Sequence, residues 1–167
     1  TGNLGDSYLG LKALSNKAKL KNKDKLFFVD KYYKPELPLN LTKYLLKFAN
    51  SSIDVSDGLI DDLSKMINRQ SLSFHLFENK IPVSNKLSNL IKKQRLNKIN
   101  LISNGDDYQV LFTADINKAR IIQKASKTTG IKITKIGKIV SGKDRSLIFD
   151  EKGKQIRAKS KGYIHRF

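Results

Sequence analysis

Apolar residues recur along this chain with two periods, one typical of helices and the other typical of strands. The helical spacing predicts helices that open after Gly5 or Asp6, span 41–48, begin at Asp57, follow Pro82 and run between Asp115 and Gly130. The alternating pattern predicts strands at 49–55, 72–77, 108–113, 131–140 and 146–150. Because helices and strands do not alternate in strict order, we predict an α+β fold, a mixed β-sheet with packed helices.

The run Asp-Val-Ser-Asp-Gly-Leu at residues 54–59 lies at a predicted junction between a strand and a helix. Side chains two apart on a strand share a face, so Asp54 and Ser56 are expected to point the same way. Gly58 permits a tight turn, and the helix that begins at Asp57 presents free N–H groups that favour anions. Such a junction is suited to holding metal ions and phosphate groups together.

Ordinary helix capping is an alternative explanation of the same acids. Asp57 is a good N-cap, and Asp61 and Asp62 in the first turn would offset the helix dipole. We expect Asp61 and Asp62 to be structural in either case. Asp54 precedes the cap and gains nothing from the helix, so capping explains Asp54 least.

A second acidic turn, Asn-Gly-Asp-Asp at 104–107, leads directly into the predicted strand at 108–113. Asn-Gly is typical of hairpin turns, and a turn needs neither acid. If Asp106 faces the same cleft as Asp54, it offers an acceptor to a cationic ligand or to a ring that carries donors. The aromatic C-terminus at 162–167 predicts either an anchored chain end or an aromatic wall for a planar ligand.

Composition narrows the class of protein. The chain has 167 residues, of which 39% are hydrophobic, as expected for one soluble globular domain. It has no cysteine, which excludes disulfides and thiolate sites and predicts a cytoplasmic location. No apolar run is long enough to cross a membrane, so no membrane partner is expected. His75 and His165 are too isolated to be proposed as catalysts or metal ligands.

The formal charge of +18 is large enough to attract polyanions, so nucleic-acid binding has to be considered. Most of the basic residues are lysines scattered along the chain, whereas the reading of bases relies on arginine. The densest block, between Lys17 and Lys25, is predicted to be a solvated connector. We therefore predict no nucleic-acid partner and interpret the charge as a general surface property.

Four segments in this order resemble the C-terminal half of thiamine-monophosphate kinase: TGNLGDSYLGL, DVSDGLIDDL, NGDDYQVLFT and GYIHRF. That enzyme is a member of the superfamily named for aminoimidazole ribonucleotide synthetase, so the resemblance implies the C-terminal domain fold of that superfamily. It also implies Mg²⁺-dependent transfer of the γ-phosphoryl group of ATP to thiamine monophosphate, giving thiamine diphosphate. The alternatives are aminoimidazole ribonucleotide synthetase, selenophosphate synthetase or, less favoured, a Lys-rich nucleic-acid-binding module.

The resemblance implies roles for five residues. Asp54 and Asp57 would bind magnesium, and Ser56 would contact ATP. Asp106 and Tyr163 would contact thiamine monophosphate. Asp106 stands where the family usually has glutamate, whose side chain is longer by one methylene. No residue is assigned as a general base, because the acceptor is a phosphate oxygen that is already ionised near neutral pH.

The resemblance covers about half of such an enzyme, so residues 1–167 are expected to form a single C-terminal domain. In the family the N-terminal half supplies most magnesium ligands, further ATP contacts and the principal dimer interface. We therefore expect the full-length protein to be a homodimer through that half. We also expect the 167-residue chain alone to lack kinase activity.

Overall fold

A computed structural model describes residues 1–67 and 70–157 of the chain. The α-helices in these residues are α1 (Asp6–Leu14), α2 (Asn22–Tyr33), α3 (Thr42–Leu45), α4 (Leu59–Ile67), α5 (Asn85–Gln94), α6 (Lys98–Ile102) and α7 (Ala119–Thr129). Short 3₁₀ helices occupy Leu39–Leu41, Glu78–Lys80 and Ile116–Lys118. Over the described ranges, no helix has the length and apolar character needed to cross a membrane.

The strands form two sheets. They are β1 (Ser51–Asp54), β2 (Leu72–Phe77), β3 (Val110–Thr113), β4 (Gly137–Ser141), β5 (Leu147–Phe149) and β6 (Gln155–Ile156). Four strands lie in the order β4-β2-β5-β6, with β2 antiparallel to β4 and parallel to β5. The other two, β1 and β3, form an antiparallel pair in which Asp54 lies opposite Val110. The predicted α+β fold with a mixed sheet and packed helices is confirmed.

The main hydrophobic core joins α4 to the four-stranded sheet. Leu59 and Leu63 of α4 cluster with Phe74 and Leu76 of β2 and with Ile148 of β5. The four-residue spacing on the helix and the two-residue spacing on the strand bring these side chains to facing surfaces. Because α4 is held against the sheet by this burial, the loop that enters α4 from β1 has a defined position.

The Asn-Gly pair at 104–105 does not form a hairpin, although its sequence is typical of one. A helix, α6, precedes it, and the side chain of Asn97 starts that helix by accepting a hydrogen bond from the Asn100 N–H at 2.8 Å. Ile99 and Ile102 of α6 are buried in the main core. The apolar run before the turn was too short to distinguish a helix from a strand by periodicity.

Several elements are shorter than their patterns predict. The helix predicted at 41–48 is a 3₁₀ turn followed by α3, and the strands predicted at 108–113 and 131–140 contract to β3 and β4. The lysine block is only partly a connector, because α2 begins at Asn22 within it. The apolar positions are nevertheless buried as predicted at Leu41 and Phe48, which pack together with Ala125 of α7.

Candidate functional site

Two acidic loops run side by side at the end of the β1–β3 pair. The first loop, residues 54–58, connects β1 to α4, and the second loop, residues 104–109, connects α6 to β3. The Asp106 N–H donates to the Ser56 carbonyl at 2.9 Å, and the Tyr108 N–H donates to the Val55 carbonyl at 2.9 Å. In return the Val55 N–H donates to the Gln109 carbonyl at 2.8 Å. The two loops therefore continue the antiparallel pairing of the strands.

Two glycines allow the loops to approach this closely. A Cβ atom on Gly105 would lie 2.0 Å from the Ser56 carbonyl oxygen, and one on Gly58 would lie 2.3 Å from the Ser103 carbonyl oxygen. Both glycines also have positive φ, 64° for Gly105 and 118° for Gly58, which other residues rarely adopt. The contact between the loops therefore requires glycine at both positions.

The entrance to α4 is capped by Asp62, which is 1% exposed. Its Oδ2 accepts hydrogen bonds from the N–H groups of Ser56, Asp57 and Gly58 at 3.0, 3.0 and 3.1 Å. These are N–H groups that the start of a helix leaves without partners in the helix. Asp62 is therefore structural, as its place in the first turn predicts, and it leaves the side chain of Asp57 on the outer side of the loop.

Lys65 lies among three aspartates and was not identified from the sequence. Its Nζ forms ion pairs with Asp57, with Asp61 at 2.7 Å and with Asp62 at 3.2 Å. Hydrogen bonds to Asp57 and then to Asp61 hold the pKa of Lys65 above its ordinary value. The sequence did contain a signal for these ion pairs, because Asp61 and Asp62 precede Lys65 by four and three residues, the spacing of neighbours on a helix.

The same aspartates form a group with the geometry of a cation site. Carboxylate oxygens of Asp57, Asp61 and Asp62 lie within 4.8 Å of one another. Hard oxygen ligands of this kind fit magnesium, which usually takes one or two carboxylates and completes its shell with phosphates and water. The donors therefore fit the predicted metal, and the ammonium of Lys65 would compete with that metal for the oxygen atoms of Asp57.

Asp54 is not a member of that group. It is exposed at the end of β1, where the alternation of the strand buries Val55 on the opposite face. The predicted pair Asp54 and Asp57 is thus divided between the strand end and the start of the helix. Ser56 is half-buried, with its N–H bonded to Asp62 and its carbonyl bonded to the second loop.

The electrostatics link Asp54, Asp57 and Asp106. Burial raises the pKa of Asp106, and the charge of Asp57 raises it further. Burial raises the pKa of the Tyr108 phenol, and the next largest causes are the charges of Asp106 and Asp54. The two loops therefore bring three predicted site carboxylates into one electrostatic field around Tyr108. Tyr163 lies outside the described residues.

The second aspartate of the second loop, Asp107, faces the interior. Its carboxylate accepts hydrogen bonds from the Gly5 N–H at 2.7 Å and the Ser7 N–H at 3.3 Å, at the start of α1. Burial raises the pKa of Asp107 to about 7, although these two hydrogen bonds oppose the shift. Both acids of this loop exceed the needs of a turn, but a role was predicted only for Asp106. The residues on either side of Asp107 have positive φ, so the backbone there is not extended and no local alternation indicated which acid faces the interior.

A cavity of about 160 Å³ lies on the α1 side of the second loop. Asp6, Asp107, Lys31 and Glu36 contribute charged groups to its wall, and the Asp6 carboxylate accepts a hydrogen bond from the Ser84 hydroxyl at 2.7 Å. Burial raises the pKa of Asp6 to about 6. None of the predicted site residues lines this cavity, so the acidic loops and not the cavity define the candidate site.

Comparison with known proteins gives consistent matches, although no family model matches the chain. The thiamine-monophosphate kinase of Buchnera aphidicola subsp. Schizaphis graminum is 34% identical over 167 residues, covering 99% of this chain and 51% of that protein. The solved structure of AaThiL complexed with AMPPCP and TMP superposes with a TM-score of 0.75 at 28% identity, covering 99% of this chain and 50% of that chain. HypE from E. coli superposes with a TM-score of 0.72 at 14% identity, covering 98% of this chain and 49% of that chain.

These similarities first define a class. The match to HypE is a likeness of fold alone, and together with the ThiL structures it defines the fold of the aminoimidazole ribonucleotide synthetase superfamily. Within that class, the chain is similar over nearly its whole length to the C-terminal half of thiamine-monophosphate kinases. The resemblance recognised in the four sequence segments is confirmed. The chain spans about half the length of the curated relatives that it matches.

Proposed function

We propose that this chain is the C-terminal half of a phosphotransferase that uses ATP to convert thiamine monophosphate into thiamine diphosphate. The observation that carries the proposal is the pairing of the two acidic loops, in which the Asp106 N–H donates to the Ser56 carbonyl at 2.9 Å. The residues proposed for metal, nucleotide and substrate are thereby neighbours. Similarity to thiamine-monophosphate kinases and to a ThiL protein complexed with AMPPCP and TMP supports this assignment.

The proposed chemistry begins from repulsion between two polyanions, whose phosphates must approach each other before a group can be transferred. Asp54 and Asp57 would hold Mg²⁺, which when bound neutralises phosphate charge and aligns the reacting groups. Ser56 would contact ATP at the same loop. A strong general base is unnecessary, because the attacking phosphate oxygen is already ionised. The chain thus contributes chiefly by positioning the two phosphates.

Recognition of the vitamin is assigned to the second loop. Thiamine carries a positively charged ring and a ring with an amino group, and the Asp106 carboxylate can attract the first or accept a hydrogen bond from the second. Its pKa is raised by burial and by Asp57, so a cationic ligand would also compensate an otherwise unfavourable charge. Tyr163, outside the described residues, would supply an aromatic surface for the same ligand.

The rest of the proposal concerns the longer protein. We place it in the cytoplasm, as a homodimer formed through an N-terminal half that contributes further Mg²⁺ and ATP ligands. Residues 1–167 would form the single C-terminal domain. We propose no nucleic-acid or membrane partner, in keeping with lysines that are dispersed along the chain.

The test is ATP- and Mg²⁺-dependent formation of thiamine diphosphate by the full-length protein, with the 167-residue chain assayed beside it. We expect turnover by the full-length protein and none by the chain alone. Activity of the chain alone would contradict the division of labour between the halves. Oligonucleotide affinity that falls steeply with salt, without thiamine monophosphate turnover, would instead favour the nucleic-acid alternative.

A further inference from the structure

We propose that two buried carboxylates, Asp62 and Asp107, are positioning residues that each hold the main chain of one acidic loop from behind. This inference rests on the proposed function, because it assigns Asp62 to the metal side of the site and Asp107 to the thiamine side. Neither carboxylate is assigned as a ligand in the proposed function. A carboxylate oxygen of Asp62 lies in the aspartate group beside Lys65, but Asp62 Oδ2 accepts three main-chain N–H groups.

Asp62 holds the first loop by a single oxygen atom. Its Oδ2 accepts the N–H groups of Ser56, Asp57 and Gly58, and its Oδ1 faces the ammonium of Lys65. The three accepted bonds fix the main chain on both sides of Asp57. They also direct that main chain inward, so that the Asp57 carboxylate lies on the outer side, where it meets Lys65.

Asp107 holds the second loop by both oxygen atoms. Oδ2 accepts the Gly5 N–H and Oδ1 accepts the Ser7 N–H, so that the loop is tied to the start of α1. The residues on either side, Asp106 and Tyr108, have positive φ of 61° and 51°, which costs free energy for residues other than glycine. Asp107 lies between these two residues, and its hydrogen bonds can stabilise the loop enough to maintain their unfavourable φ values.

The two anchors have a common design. Asp62, from α4, binds N–H groups of the first loop, and Asp107, within the second loop, binds N–H groups at the start of α1. In each case a proposed site acid, Asp57 or Asp106, lies on the part of the loop that the buried acid fixes. Hydrogen bonds from a carboxylate to several N–H groups are stronger than neutral ones, so each anchor resists displacement of the adjacent site residue. Groups that orient metal-binding residues in this way typically change metal affinity or activity by about 10–100-fold when they are removed.

The experiment compares Asp62→Ala and Asp107→Ala in the full-length protein. We expect Asp62→Ala to raise the Mg²⁺ concentration for half-maximal turnover by about tenfold, with the KM for thiamine monophosphate within about twofold. We expect Asp107→Ala to raise that KM by about tenfold, with the Mg²⁺ requirement within about twofold. The conservative variant Asp62→Asn keeps an oxygen that can accept the three N–H groups, so it is expected to restore most of the Mg²⁺ response.

Asp6→Ala is the matched control. Asp6 is also a buried carboxylate, 6% exposed, whose hydrogen bond is to Ser84. Its charge raises the pKa of Asp107, but no hydrogen bond joins it to either loop in the described contacts, so it tests buried charge without the anchoring bonds. We expect the control to change thermal stability without moving either constant by more than about twofold. The inference is overturned if Asp62→Ala and Asp107→Ala move the same constant, if neither moves one, or if Asp6→Ala moves them equally.

Amide hydrogen exchange and Mn²⁺ broadening on the 167-residue chain separate this inference from the proposed function. We expect faster exchange at residues 56–58 in Asp62→Ala only, and at Gly5 and Ser7 in Asp107→Ala only. Mn²⁺ is expected to broaden the amide signals of residues 54–58 in the wild type and much less in Asp62→Ala. If the full-length protein makes no thiamine diphosphate, the proposed function fails, and these signals still decide the anchoring role. An unchanged exchange pattern would overturn it.

Discussion

The two acidic loops carry similar acids but differ in how those acids are paired. In the first loop, Asp57 is paired with Lys65, and Asp61 and Asp62 share the same ammonium. In the second, neither Asp106 nor Asp107 forms an ion pair within the part of the chain that the structure describes. The pKa values of both acids in the second loop are raised, chiefly by burial.

Because of this difference, the two loops would interact with a cationic ligand in different ways. The carboxylates at the first loop already pair with a lysine whose side chain is 45% exposed, so a metal ion that bound there would have to displace that lysine. The second loop keeps its acids with insufficient compensation, so a cationic ligand would relieve an electrostatic cost. Acidic loops of similar sequence can thus differ in their response to a cationic ligand. In one the ligand would have to displace a lysine, and in the other it would meet carboxylates that have no ion-pair partner in the described part of the chain.

The largest expected effect is on turnover, from Asp54→Ala in the full-length protein. Turnover is expected to fall by at least about 100-fold, because a proposed metal ligand is lost. Asp54 is exposed at the end of β1, so the far-ultraviolet circular dichroism spectrum and the melting temperature are expected to change little. Turnover that persists at the wild-type level would remove Asp54 from the site.

The second-largest effect is expected from a substitution that pushes the two loops apart. Gly105→Ala places a methyl group 2.0 Å from the Ser56 carbonyl oxygen and forces a positive φ on alanine. We expect a loss of about 3 kcal/mol in the free energy of unfolding, measured by urea titration.

Gly130→Ala isolates the two causes, since Gly130 also has positive φ but has no atom within 4 Å of an added Cβ. It is expected to cost about 1 kcal/mol, which is the conformational part alone. Equal losses of unfolding free energy in the two variants would mean that the close contact between the loops does not contribute to stability.

The raised pKa values of Asp107 in the second loop and of Asp6 in α1 predict that the stability of the fold depends on pH. The pKa of Asp107 is raised to about 7 and that of Asp6 to about 6, so between pH 4 and those values the folded chain binds more protons than the unfolded chain. The free energy of unfolding is therefore expected to fall as pH rises from about 4 to about 6, by up to about 1.4 kcal/mol per pH unit for each proton. Above about pH 6 the amino group of Thr1, whose pKa burial lowers to about 6, contributes in the opposite direction.

Asp107→Asn removes one titrating group and is expected to flatten the slope, measured by urea titration across this range. Lys31 and Glu36 face Asp6 and act on its pKa in opposite directions, and the charge of Asp6 in turn raises the pKa of Asp107. Stability that rises over the same pH interval would contradict the assignment.

The smallest effect is expected at Lys65. Lys65→Gln removes the ammonium that competes for the Asp57 oxygens, so the Mg²⁺ concentration for half-maximal turnover is expected to fall by about threefold. Lys86→Gln is a suitable control, because Lys86 pairs with Asp24 at 3.5 Å and contacts neither acidic loop in the described contacts. A higher Mg²⁺ requirement in Lys65→Gln would indicate that the lysine supports the metal site instead of competing with it.

Local patterns allowed much of the fold to be predicted. The strand at 72–77 was predicted with the bounds it has, and Gly130 ends α7 in the left-handed conformation expected of a C-terminal glycine. No element was predicted for the run before Asn104, whose burial depends on distant partners. The run before Asn104 became α6 because its apolar residues pack into the main core, which the residues beside it cannot specify.

What the sequence alone determined is the class of fold, the positions of many of its elements and the identity of the acids that carry the resemblance to thiamine-monophosphate kinases. These properties depend on residue types and on spacings of a few positions, where backbone geometry acts directly. The tertiary structure decided which acids face inward: Asp62 and Asp107 bind main-chain N–H groups, whereas Asp57 and Asp106 lie by the opposite loop. For Asp62 the N–H groups lie four to six positions away in the sequence, whereas for Asp107 they lie 100 and 102 positions away. Only the folded chain brings such distant N–H groups to a buried carboxylate.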